Sequence, residues 1–188
     1  MKNTIIYLIG HYGVGKLTIA RAICAATEAR LFDNHLANNV IFSLIRADGK
    51  TPLPEGVWDM IGVIRDQAFK AIEELTPADT SYVLTNCLLE SDPGDHAAYG
   101  QVRAVAIRRG NVFLPVLLRA SDAAHAARIN SPDRAERLKH TDVESALHKR
   151  YTEELLRIDH PNRLDLDTTD LPPAEAARLI IEYAERLA

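Results

Sequence analysis

The chain has few cysteines. Cys24 and Cys87 are the only two in 188 residues, far apart and each within an apolar segment. That excludes a disulfide scaffold and a cysteine-ligated metal, and two reduced, buried thiols are expected. No HxxxH or HxH pair occurs among His11, His96, His125, His140, His148 and His160, so no zinc site is expected. Nor is there an apolar run near the roughly 20 residues of a membrane helix. The opening MKNTIIYLIG carries one lysine, a short apolar run and no cleavage-site pattern. A cytoplasmic protein without a membrane partner is therefore expected. The net charge of −4 gives no basic surface for nucleic acid, and it is not extreme enough for disorder. No repeat, low-complexity tract or Pro/Gly/Ser linker divides the sequence. A single domain over residues 1–188 is expected, long enough to bury a core.

What is present alternates in type. Thr4–Ile9 is a continuous apolar run of strand length, and Lys16 to about Ala29 reads as a helix. Arg30–Phe32 is a short strand ending at Asp33. His35–Arg46 and Val57–Leu75 read as helices, the second with Ile61, Ile64, Ala68, Ile72 and Leu75 on one side. Ser81–Leu88 is a buried strand, His96–Arg109 a helix with Gly110 as its C-terminal cap, and Val112–Leu118 another strand. Ser121 or Asp122 suits a helix N-cap. Asp142–Arg157 reads as helix, Arg163–Leu166 as a last strand, and a closing helix runs from Pro172 or Pro173 to Leu187. Five apolar strands separated by helices predict an α/β fold with a parallel sheet covered on both faces. Ligands in such folds gather at the carboxyl ends of the strands. Here those ends are Gly10, Asp33, Leu88–Glu90, Arg119–Ser121 and Asp167–Thr169.

The sharpest motif follows the first strand. In "GHYGVGKLT", Gly10 is followed by His11, Tyr12, Gly13, Val14, Gly15 and Lys16. A strand, a glycine-rich turn and a helix let backbone N–H groups converge on phosphate oxygens, where a side chain would block the approach. Lys16 supplies a mobile positive charge, and the helix beginning there adds the positive end of its dipole. The pattern then calls for Ser or Thr to ligate Mg²⁺, but Leu17 stands there and Thr18 comes one step late. One step turns a helical side chain by about 100°. Thr18 is thereby aimed at an α-phosphate rather than at the metal. Two readings stand: Mg²⁺ is held by water, phosphate and a carboxylate such as Asp33, or nucleotide binds and turns over poorly. His11 could touch a γ-phosphate or be a solvent-facing loop residue.

With this motif, and over essentially its whole length, the chain resembles small P-loop kinases. The resemblance is to the shikimate kinase and nucleoside monophosphate kinase type, and to chloramphenicol phosphotransferases and gluconate kinases. It implies a three-layer P-loop NTPase sandwich with a five-stranded parallel sheet and a small lid over about residues 122–140. It also implies ATP and Mg²⁺ as cofactors, a small-molecule acceptor, and a monomer or homodimer. In "LFDNHLANN", Asp33 matches the family's acidic residue facing the acceptor hydroxyl, as base or orienting group and as holder of Mg²⁺ through water. It equally suits the N-cap of the next helix. His35 beside it could line the acceptor pocket, and so could Asn34, Asn38 and Asn39, with surface solvation the alternative for the last two. Arg65 in "VIRDQAFKAI" matches an arginine that grips an anionic acceptor, or makes a surface salt bridge. In "RASDAAHAARINSPDRAERLKH", Arg128 resembles the residue that stacks on adenine. Arg134 and Arg137 resemble lid arginines closing on the transferred phosphoryl group, the alternative being a solvated charged surface. Lys139 and Arg150 are weaker candidates. Thr168 and Thr169 lie where the family builds an adenine-pocket wall, and a turn plus N-cap explains them too.

Departures narrow the acceptor. "VLTNCLLE" lacks the glycine pair that ends the third strand of shikimate kinases, so shikimate is not expected. Thr85, Asn86 and Glu90 could instead shape the acceptor site or bond a metal-bound water. No strand ends in hhhhDE, which argues against a mechanical ring ATPase. The expected activity is transfer of the γ-phosphoryl of ATP to a hydroxyl. A nucleoside or nucleotide kinase and a nucleotide-binding regulator with little catalysis are the alternatives.

Overall fold

The computed structural model describes residues 1–48, 51–129, 148 and 150–187. In chain order its elements are β1 (Thr4–Ile9), α1 (Lys16–Ala26), β2 (Arg30–Asp33), α2 (Asn34–Phe42), α3 (Val57–Glu74), β3 (Tyr82–Asn86), α4 (Pro93–Arg109), β4 (Val112–Arg119), α5 (Asp122–Ile129), β5 (Leu164–Asp167) and α6 (Pro173–Glu185). The strands form one five-stranded sheet in the order β2-β3-β1-β4-β5, and every pairing is parallel. The expected sandwich is therefore the observed one.

Strand periodicity sorts β1 between two cores. Ile5, Tyr7 and Ile9 pack with Phe69 and Ile72 of α3 and with Val102, Val105 and Ala106 of α4. Ile6 and Leu8 face the other way, onto Ile19 and Ile23 of α1 and Ala176, Ala177 and Ile180 of α6. The central strand is thus covered on both faces and paired on both edges, which is why its sequence is an unbroken apolar run. A third, smaller cluster joins Ala37 of α2 to Val57 and Ile61 of α3.

Several boundaries differ from expectation for local reasons. Helix α4 begins three residues early, because Asp92 caps it by accepting from Gly94 N at 2.8 Å and Pro93 occupies the first turn. Gly110 caps its other end at φ 66°. Helix α2 stops at Phe42 rather than Arg46. The helix expected to reach Arg157 ends at Thr152. Beyond it Leu155 pairs antiparallel with Leu89, and Leu156 N donates to Leu88 O at 3.0 Å. Leu156 and Ile158 then enter the core beside α4, so their apolar spacing reflects a packed extended segment. The last strand is shifted by one residue, to Leu164–Asp167. Both cysteines are free as expected, but each is half-buried rather than buried. Among the described residues no helix is long and apolar enough to cross a membrane.

Leu114 on β4 has no exposed surface and sits in the core beneath α1 and α6. Leu114→Ala is expected to lower the unfolding free energy by about 3 kcal/mol, measured by urea denaturation.

Candidate functional site

The loop leaving β1 is shaped by crowding. A Cβ at Gly10 would lie 2.6 Å from Leu118 O of the neighbouring strand and 2.9 Å from Val14 Cγ2. Gly13 and Gly15 adopt φ of 82° and 93°, conformations that side chains disfavour. Gly15 is also the residue before α1, and no side chain among the described residues caps that helix. A helix start of this kind leaves its first N–H groups facing the loop, the arrangement of anion-binding helix starts. Lys16 Nζ folds back to donate to Gly10 O at 2.5 Å and His11 O at 2.8 Å. The ammonium thus sits inside the loop, where phosphate oxygens would compete for it.

Beside the loop is a cavity of about 330 Å³, a size that suits a small ligand. Its wall includes Tyr12, Gly13, Val14, Gly15, Lys16, Leu17 and Thr18 from the loop and the start of α1. Across from them stand Asp33, Asn34, His35 and Thr85 from the ends of β2 and β3. Arg128, Thr168, Leu171 and Pro173 complete it on the α5 and α6 side. Most of the residues singled out by sequence are thereby gathered at one place. Gly10 and His11 lie at the root of the loop rather than on the wall.

The acidic side is a hydrogen-bonded relay. Asp33, only 7% exposed, caps α2 through His35 N. Its Oδ1 accepts from Thr85 Oγ1 at 2.7 Å, and His35 Nδ1 lies 3.4 Å away. His35 Nδ1 is also 2.9 Å from Asn34 Oδ1. Asn34 donates to Asn86 Oδ1 at 3.3 Å, and Asn86 donates to the Tyr7 hydroxyl at 3.2 Å. Asn86 is thus a layer behind the cavity wall, reaching it through Asn34. Burial pushes the Tyr7 hydroxyl's pKa well above that of an ordinary tyrosine, opposed by the Asn86 bond and by the positive charge of Arg65. Arg65 lies on α3 between the buried Ile61 and Phe69, is half-buried, and is not among the residues that line the cavity. Asn38 is buried, so solvation does not account for it. Glu90 also lies elsewhere: its Oε2 accepts from Arg157 N at 2.8 Å.

The opposite side is stapled by Thr168, which is 1% exposed. Its Oγ1 is 2.9 Å from both Val14 O and Arg119 O, so one hydroxyl spans the glycine-rich loop and the end of β4. Arg128 donates to Thr168 Oγ1 at 3.2 Å, Thr168 O at 2.7 Å and Thr169 O at 3.0 Å. Thr169 Oγ1 accepts from Ser121 N at 2.8 Å, and Ser121 Oγ in turn caps α5 at Ala124 N, 3.3 Å away. Arg150 is engaged outside the cavity, with Ala120 O at 2.6 Å and Asp122 at 3.1 Å. Arg134, Arg137 and Lys139, and the expected lid beyond Ile129, lie outside the described residues. Sequence reasoning passed over Cys87, Leu171 and Pro173 as cavity residues. Their signal was position alone, just past the carboxyl ends of β3 and β5.

No known protein-family profile matches the sequence, and no curated protein matches it. Solved structures do. A gluconokinase from Sinorhizobium meliloti 1021 superposes with a TM-score of 0.57 at 19% identity, over 99% of this chain and 94% of that one. A tunicamycin resistance protein from Deinococcus radiodurans gives 0.58 at 17% identity, over 96% and 94%. The APS kinase of Mycobacterium tuberculosis, solved with AMPPNP and APS, gives 0.58 at 14% identity, over 98% of each chain. These likenesses show that the chain has a P-loop-kinase-like fold.

Thr168→Val removes the hydroxyl between Val14 O and Arg119 O while keeping the shape. Urea denaturation is expected to show a loss of about 2 kcal/mol, because the buried Val14 O loses its hydroxyl donor and Arg128 loses an acceptor, while Arg119 O keeps the Thr168 N–H.

Proposed function

We propose that this protein binds ATP with Mg²⁺ and transfers the γ-phosphoryl group to a hydroxyl of a small molecule. The observation that carries the reading is one cavity walled at once by the glycine-rich loop, Lys16, Asp33, Arg128 and Thr168. Fold alone names no substrate, but this constellation suits phosphoryl transfer, where positioning and charge neutralisation do most of the catalysis.

In this reading the backbone around Gly10, Gly13 and Gly15 cradles the phosphates, and Lys16 leaves the Gly10 and His11 carbonyls to reach the β- and γ-oxygens. Thr18 bonds the α-phosphate. Arg128 flanks the base, held flat by Thr168 and Thr169. Arg134 supplies further charge to the transferred group. Asp33 receives the proton of the acceptor hydroxyl as its oxygen attacks the γ-phosphorus and the bond to the bridging β,γ-oxygen breaks. The Thr85 hydroxyl fixes the Asp33 carboxylate while it does so. His35 and Asn34 line the acceptor side, with Asn86 behind them and Arg65 on α3 as the candidate for an anionic group.

The donor set fits Mg²⁺ in a restricted way. No cluster of three or more His, Cys, Asp or Glu suited to a metal occurs among the described residues. Among the described residues, Asp33 is the one carboxylate that lines the cavity with the glycine-rich loop. Mg²⁺ keeps several waters and commonly takes one or two carboxylates plus phosphate oxygens, so Asp33 acting directly or through water suffices. When bound, the ion would neutralise charge on the phosphates. Leu17 lines the cavity where the usual hydroxyl would be, and this favours a second reading: a nucleotide-binding regulator with little turnover.

Two variants test the proposal. Lys16→Ala is expected to abolish acceptor-dependent ADP release, and unchanged activity would sink it. Leu17→Ser is expected to leave both rate and Mg²⁺ dependence unaltered, measured by magnesium titration of the same assay. A large gain in rate would instead favour the regulator, as would ATP stabilisation that ignores Mg²⁺ in a thermal-shift assay.

A further inference from the structure

The hydrogen-bond chain on the acceptor side has a direction, and one fixed donor sets it. The backbone N–H of Cys87 can only donate, and it meets the side-chain amide of Asn86 at 2.9 Å. The Asn86 atom there is therefore its oxygen. Asn34 approaches the same oxygen at 3.3 Å, which requires its NH2 group at that contact. The other end of the Asn34 amide is then its oxygen, and this atom lies 2.9 Å from His35 Nδ1. The second group near Nδ1 is the Asp33 carboxylate, with Oδ1 3.4 Å away. Both neighbours accept, so Nδ1 carries the hydrogen.

In the neutral ring the lone pair is then on Nε2. Free histidine prefers the opposite tautomer, so the chain of amides imposes the less common one. It also tethers the ring by its Nδ1 edge to the end of β2 and the first turn of α2. His35 lines the cavity together with Asp33, and Nε2 is on the ring edge opposite the tether. The carboxylate is fixed in the same place, since its Oδ1 accepts from Thr85 Oγ1 at 2.7 Å and from His35 N at 3.4 Å. The acceptor side thus holds two hydrogen-bond acceptors next to each other, a carboxylate and an imidazole nitrogen.

We propose that His35 is a specificity-determining residue, whose Nε2 accepts a hydrogen bond from the hydroxyl next to the one that is phosphorylated, so that the acceptor is a diol or polyol. The inference rests on the phosphotransferase reading above. Asp33 takes the attacking hydroxyl and His35 its neighbour, and both atoms call for an O–H donor. A carboxylate or phosphate in the second place would set oxygen against the Nε2 lone pair and be rejected. An analogue with hydrogen there would bring no donor to a site built for one.

Two measurements test this. Nitrogen-15 NMR of the histidine-labelled protein is recorded at about pH 8, where an ordinary imidazole is neutral. His35, assigned by the signal missing from His35→Leu, is expected in the Nδ1–H form, and an Nε2–H ring would overturn the inference. Glycerol, ribose and sorbitol are then offered as acceptors in an ADP-release assay. For any that the wild type uses, the analogue lacking the neighbouring hydroxyl is expected to lose at least about tenfold in kcat/KM. His35→Leu is expected to use that acceptor and its analogue equally, with KM for ATP unchanged. The same discrimination in both proteins would overturn the inference, because a merely structural histidine would leave it intact. If none of the three is used, the tautomer decides alone. Failure of the phosphotransferase reading shows separately, as an absent ATP-induced thermal shift in the wild type.

Discussion

The close packing of β1 between β3 and β4 is the constraint on which the site depends. Ile9 is in register with Asn86 on one side and Leu117 on the other. The chain leaving that strand has no lateral room, as the 2.6 Å approach of a Gly10 Cβ to Leu118 O makes plain. It must turn tightly, which calls for positive φ at Gly13 and Gly15 and delivers the uncapped start of α1 over the end of the sheet. The positive helix end and the Lys16 ammonium are then concentrated at one point. A cation held there needs oxygen partners, and the loop supplies its own carbonyls for that purpose. In the proposed reading the cradle is thus built in advance, which would reduce the ordering that a phosphate ligand has to drive.

Around that point the two walls of the cavity are held differently. On the β5 side, Thr168 is almost fully buried and in hydrogen-bond contact with the loop, β4 and α5. The β2 side is a chain of polar contacts from Thr85 through Asp33, His35, Asn34 and Asn86 to Tyr7. Several of those contacts are 3.3–3.4 Å long, near the limit of a hydrogen bond, where geometry tightens readily.

The sheet and the glycine-rich turn after β1 were legible because each is written in a local pattern. Unbroken apolar runs at Thr4–Ile9 and Val112–Leu118 admit little but buried strands, and three glycines at close spacing before a helix call for a tight strand-to-helix turn. Asp33 was legible for a weaker reason, its position at a strand end. Long-range partners left no such trace. Leu155, Leu156 and Ile158 have helix-like spacing, yet pairing with Leu89 and Leu88 draws them into an extended segment. The tie from Thr168 to Val14 spans 154 residues, and nothing in either neighbourhood announces it. Asn38 and Asn39 are adjacent and chemically identical, and only packing shows that the first is buried and the second half-buried.

The leucine at position 17 is best understood within that geometry. A hydroxyl there would contribute one neutral oxygen to a cation that keeps several waters, and a water can take the vacated place. The negative charge opposing the metal would come from the phosphates and from Asp33 across the cavity, neither of which depends on residue 17. What Leu17 changes is the wall itself, which becomes apolar beside Lys16. Apolar lining lowers the local dielectric and strengthens each charge interaction that remains. The loss of one ligand and the strengthening of the others act in opposite directions. A missing motif residue is therefore a weak argument against chemistry at this site, whereas a missing Lys16 or Asp33 would be a strong one.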